Sequence, residues 1–106
     1  MEFQTIIDRA LQIREHYAKK ETQLYGSPWT SEDLARGFMG DADDVSKLIG
    51  AIKGKRNILD GQQKLKHKLA DCLWSVIVIA AMHDVDLEHS FFETMNRLEQ
   101  HLLENP

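Results

Sequence analysis

The stretch that decides the fold is residues 65–82, LKHKLADCLWSVIVIAAM. It is almost unbroken apolar from Leu69 to Met82, yet it contains Asp71. A membrane span needs roughly 20 apolar residues, so this shorter run predicts a buried helix and no membrane contact. Apolar residues recur at helical spacing in the rest of the chain, and β-branched alternation is scarce. The sequence therefore predicts an all-α fold.

The same spacing predicts four helices, at about residues 2–21, 31–53, 62–83 and 87–103. Thr30 with Asp33 is typical of the start of the second helix, because both side chains can cap free backbone N–H groups. Asp86 is a candidate cap for the fourth. At 106 residues the chain has the length of one domain, residues 1–106.

Composition limits the partners and the compartment. The net charge is −4, so the surface has no large basic field for a nucleic acid polymer. The single Cys72 cannot form a disulfide within the chain, which fits a reducing compartment. The first residues, MEFQTIIDRA, do not have the pattern of a signal peptide. We therefore expect a cytoplasmic protein.

Carboxylates fall on the core side of two predicted helices. On the second helix Asp41 lies inside the apolar arc and Asp44 at its edge, whereas Asp43 faces water. On the third helix Asp71 also lies on an apolar side. An unpaired carboxylate on a core face is costly, so these acids need basic partners or a cation. Oxygen ligands suit Mg²⁺, which also accepts phosphate oxygens; a magnesium site and simple ion pairing both remain open.

The third predicted helix is apolar on two sides. Four helices of this length cannot cover both sides, so we expect a helical dimer or higher oligomer with this helix near its centre. The main stripe consists of Leu65, Leu69, Leu73, Val76 and Ala80, and the second line of Asp71, Ser75, Val78 and Met82.

Two segments carry a family resemblance: WTSEDLARGFMGDADDVSKLIGAIKGKR (29–56) and KLKHKLADCLWSVIVIAAMHDVDLEHSFFETMNRLEQ (64–100). Asp41 and Asp44 form an acid pair three residues apart, Asp71 matches the acid of a second motif, and residues 85–87, VDL, match a turn before the last helix. In order and interval these features resemble the MazG-like proteins of the all-α NTP pyrophosphohydrolase superfamily.

This resemblance implies a four-helix MazG-like bundle completed by oligomerisation, as a homodimer or homotetramer. It also implies a hydrolase that uses Mg²⁺ to cleave a nucleoside triphosphate, NTP or dNTP, between the α and β phosphates. The products are the monophosphate and pyrophosphate. Asp41, Asp44 and Asp71 would hold the metal, and Asn96 would orient water or phosphate.

One position departs from the family pattern. Lys68 stands where the second motif has Glu, three residues before Asp71, and a lysine cannot ligate Mg²⁺. Lys68 then contacts a phosphate while the three acids hold the metal, or another acid such as Asp60, Glu88 or one from a partner chain completes the site. In the third interpretation the chain is a catalytically degenerate bundle that binds nucleotide or a protein. We expect activity that is retained but weakened by Lys68.

Two further residues are candidates for nucleotide binding. Trp29, beside Pro28 and ahead of the second helix, is the candidate for stacking on a base, whereas Phe38 and Trp74 fit core packing better. Lys47, near the end of the second helix, could bind phosphates, although solvation of the helix end is the better explanation of a lysine there.

Overall fold

Four α-helices make up the fold, which confirms the all-α prediction. The computed structural model describes residues 2–55 and 60–105, with Lys55 described for its backbone alone. Within these ranges there is no β-strand. A short π-helical segment, Ala51–Lys55, follows the second helix and contains Gly54 at a φ of 87°. The helices are α1 (Phe3–Tyr25), α2 (Ser31–Gly50), α3 (Gly61–Met82) and α4 (Leu87–Glu104).

The helix boundaries follow local capping chemistry. At the start of α2, Thr30 Oγ1 accepts the Asp33 N–H at 3.2 Å, and Asp33 Oδ2 accepts the Thr30 N–H at 3.0 Å, which completes the predicted capping box. The backbone hydrogen bond from Thr30, together with Arg36, lowers the pKa of Asp33. α1 runs four residues beyond its predicted end and stops at Gly26, whose φ of 89° favours glycine.

Replacing Thr30 with alanine should lower the free energy of unfolding by about 1 kcal/mol, because the Asp33 N–H loses its acceptor. Urea denaturation followed by circular dichroism measures the change. Ser46→Ala, at an exposed position within the same helix, is the matched control and should cause no loss. An equal effect of both substitutions would show that the capping box does not stabilise α2.

The core is small and lies mainly between α2 and α3. α1 also packs against α3 and contributes little to the buried set. The buried apolar residues among those described are Ala10, Leu34, Leu48, Ala51, Ile77, Val78 and Ala80.

The two sides of α3 are covered to different extents by the rest of the described chain. Ser75 and Val78, on the second line, are buried. Leu69 and Leu73, on the expected main stripe, are 51% and 46% exposed. The apolar pattern assigned neither side to packing within the chain, and the structure leaves Leu69 and Leu73 of the main stripe largely uncovered. α1 and α2 cover the opposite side, and no described helix buries Leu69 or Leu73.

α4 carries an apolar face that the rest of the described chain leaves uncovered. None of its residues is buried. Its N-terminus is capped, since the Asp86 side chain accepts the His89 N–H at 3.1 Å, as predicted. The exposed apolar residues are Phe91, Phe92, Met95, Leu98, Leu102 and Leu103.

The chain as a whole is more open than a typical monomer of its size. Its radius of gyration is 16.9 Å, against about 13 Å for a compact domain of this length. Its accessible surface is 8395 Å², against about 6,100 Å² for a folded monomer of this mass. None of the described helices combines the length and the apolarity that a membrane crossing requires.

Candidate functional site

A groove of about 720 Å³ lies between α1, the segment after it, α2 and α3. This volume is within the range of small-molecule sites. Its lining includes aromatic side chains and carboxylates. The aromatic residues are Tyr17, Tyr25, Trp29 and Trp74, and the carboxylates include those of Asp41 and Asp71. The groove therefore combines surfaces for a planar ring with groups that attract a cation.

The backbone of Trp29 is held from both sides by a charged pair of α1. Glu21 Oε1 accepts the Trp29 N–H at 2.8 Å, and Arg14 Nη2 donates to the Trp29 carbonyl at 2.6 Å. Glu21 is buried and also pairs with Arg14 at 3.3 Å. The indole lies against Gly37 of α2, 3.6 Å from where a Cβ would stand. Trp29 is thus fixed in place while 41% of its surface stays exposed.

This clamp was not anticipated from the sequence. Arg14 and Glu21 are seven residues apart, which places them two turns apart on one face of α1. That spacing was the available signal, but it did not indicate which backbone groups the pair would bind.

Trp74 has a structural role in the groove wall, where it is half-buried and lies outside the buried core. Its Nε1 donates to the Ala10 carbonyl at 3.0 Å. Its ring lies 5.5 Å from that of Tyr17, at an interplanar angle of 58°. These contacts tie α3 to α1 and set the position of both rings.

Lys68 reaches across from α3 to the two acids of α2. Its Nζ lies 3.2 Å from Asp41 Oδ1 and 3.1 Å from Asp44 Oδ2. The hydrogen bonds that Lys68 donates to Asp44 and to Asp41 raise its pKa, so the ammonium stays charged. Both carboxylates of the predicted pair therefore converge on one cation, which belongs to the chain itself.

The three acids of the predicted metal site meet only in pairs. Asp41 and Asp44 share Lys68, while Asp41 and Asp71 share the groove. In the described parts of the chain, no three or more His, Cys, Asp or Glu side chains are grouped as metal ligands. The donor chemistry suits Mg²⁺, and the ammonium is a stand-in cation between two of the acids. Mg²⁺ can therefore bind between Asp41 and Asp44 only if the Lys68 ammonium moves away from them.

The other predicted site residues lie elsewhere in the single chain. Lys47 pairs with Asp43 at 2.8 Å on the exposed side of α2. Asn96 is exposed on α4 and does not line the groove. Asp60 occupies the N-cap position of α3 at a left-handed φ of 56°, and Glu88 lies in the first turn of α4.

The fold and the groove define an all-α protein of helical-bundle character with an aromatic and acidic site. No family model matches the chain, and no curated protein or solved structure matches it either.

Proposed function

We propose that the protein is a MazG-like nucleotide pyrophosphohydrolase, which converts an NTP or dNTP to the monophosphate and pyrophosphate. The observation that carries the proposal is the composition of the groove. A fixed, partly exposed Trp29 lies in the same groove as Asp41 and Asp71. An aromatic face and a pair of carboxylates are groups that suit a base and a metal-bound triphosphate.

Different side chains of the groove would bind different parts of the nucleotide. The clamp of Arg14 and Glu21 would keep the Trp29 indole in position for a base, at no cost in ordering when the ligand binds. Lys20 also lines the groove and would meet the negative charge of a phosphate. Asp41, Asp44 and Asp71 would hold Mg²⁺. When bound, this ion would neutralise negative charge on the phosphates.

The oligomer is part of this proposal. The accessible surface exceeds that of a compact monomer by more than 2,000 Å² on the scaling quoted above, an amount comparable with what an obligate interface buries. The open face of α4 and the exposed Leu69 and Leu73 of α3 are the surfaces available for a second copy. We propose a homodimer or homotetramer in the cytoplasm, in which Asn96 acts only after assembly.

A second candidate function is a catalytically degenerate bundle that binds nucleotide or a protein partner. The ion pairs of Lys68 favour it, because the ammonium stands where two of the proposed metal ligands converge.

Release of pyrophosphate from a panel of NTPs and dNTPs, with and without Mg²⁺, separates the two. We expect slow Mg²⁺-dependent release from the wild type and none from the double variant Asp41→Ala, Asp71→Ala. Lys68→Glu should release pyrophosphate at least tenfold faster, since a ligand replaces a competing charge. Lys66→Glu, on the same helix, is the matched control and should behave as the wild type.

Absence of Mg²⁺-dependent release from both the wild type and Lys68→Glu would reject the enzyme proposal in favour of the degenerate bundle. Helix content measured by circular dichroism shows that each variant is folded.

A further inference from the structure

The geometry around Lys68 sets a condition on any divalent cation at the two acids of α2. The ammonium nitrogen is 3.2 Å from Asp41 Oδ1 and 3.1 Å from Asp44 Oδ2. A Mg²⁺ ion bound to both oxygens would lie at about 2.0–2.1 Å from each. It would therefore occupy nearly the same space as the ammonium, and two positive charges so close would repel each other strongly.

We infer that Lys68 is a built-in competitor for this cation: a divalent ion binds Asp41 and Asp44 only when the Lys68 ammonium leaves them. This inference deepens the proposed function and rests on it for the identity of the cation. It concerns binding, so it can be tested without any catalytic reaction.

The ion pairs of Lys68 with Asp41 and Asp44 are weak enough to be broken. All three side chains are partly exposed, with 33% of Lys68, 25% of Asp41 and 44% of Asp44 accessible. Ion pairs this exposed are screened by water and salt, and each contributes little. The four-carbon lysine stem can also turn the ammonium out to solvent. Lys68 therefore weakens cation binding by roughly 2- to 30-fold rather than abolishing it.

The net charge around Lys68 indicates that its ammonium competes with a divalent cation and does not permanently take its place. The three carboxylates of Asp41, Asp44 and Asp71 outnumber the two ammonium groups of Lys68 and of Lys20, which also lines the groove, so the region stays negative with Lys68 in place. A negative region with part-exposed oxygens continues to attract a divalent cation. Once displaced, the ammonium remains close enough to meet a phosphate oxygen of a bound nucleotide, a role already considered for Lys68 from the sequence.

Binding of Mn²⁺, measured by electron paramagnetic resonance and by calorimetry with Mg²⁺ as competitor, tests the inference. Lys68→Met removes the charge and keeps the length, and should bind Mn²⁺ roughly 2- to 30-fold more tightly than the wild type. Lys68→Arg keeps the charge and should show no gain. Lys66→Met, the matched control on the same helix, should bind as the wild type does. The gain should vanish in Lys68→Met, Asp41→Ala.

Equal Mn²⁺ affinity in the wild type and Lys68→Met would overturn the inference, and so would a gain that survives Asp41→Ala. Pyrophosphate release reports separately on the proposed function. A Lys68→Met protein that gains Mn²⁺ but hydrolyses no nucleotide supports the competitor and rejects the enzyme. If the wild type hydrolyses nucleotide and Lys68→Met leaves the Mn²⁺ affinity unaltered, the enzyme is supported and the competitor is rejected.

Discussion

Replacing Leu34 with alanine is expected to lower the free energy of unfolding by about 3 kcal/mol. Leu34 is 2% exposed and is, with Val78, one of the largest fully buried side chains of the described chain. The loss combines the apolar surface returned to water with a cavity that neighbouring side chains cannot refill. Because a small domain is stable by only about 5–15 kcal/mol, this change removes a large share of its stability.

Urea denaturation at a fixed protein concentration measures this change, since the proposed oligomerisation would make stability depend on concentration. Met39→Ala is the matched control on the same helix, because Met39 is 70% exposed, and it should cost less than about 1 kcal/mol. Similar losses for the two variants would mean that Leu34 is not in the core.

Replacing Leu98 with glutamate is expected to convert the proposed oligomer into single chains of 12.2 kDa. Leu98 lies on the uncovered apolar face of α4 and is 49% exposed in one chain. A carboxylate buried there between copies would lack a partner, and the cost of several kcal/mol exceeds what most interfaces can absorb. In the separated chain the same carboxylate is hydrated, so the fold itself should survive.

Sedimentation and light scattering give the mass, and circular dichroism confirms the helix content. Gln100→Glu adds the same charge on the polar side of α4 and should leave the oligomer intact. A wild type with the mass of one chain would contradict the proposed oligomer. An oligomer that persists in Leu98→Glu would show that α4 is not the interface.

The local features of this protein followed from the sequence because they depend on neighbouring residues. The apolar spacing located all four helices, and Thr30 with Asp33 marked the start of α2. The helical phase of 41–44 also agrees with the structure: Asp41 is the more covered of the two acids that contact Lys68, and Asp43 is exposed and pairs with Lys47.

Longer-range features did not follow in the same way. α3 is apolar on two sides, and the pattern alone did not show which side α1 and α2 would cover. In the clamp on Trp29, the side chains of Arg14 and Glu21 bind the backbone carbonyl and N–H of Trp29. No pattern of side chains in the sequence identifies which backbone groups will be bound.

By itself the sequence determined the helices, the caps and the candidate acids, since propensity, periodicity and capping act over a few residues. Only the tertiary structure decided the partners of Lys68. A lysine three residues before Asp71 could reach that acid on its own helix or others across an interface, and its flexible stem permits both. The packing of α3 against α2 brings Asp41 and Asp44 within 3.2 Å of the ammonium, and that packing is set by buried side chains far from Lys68 in the sequence.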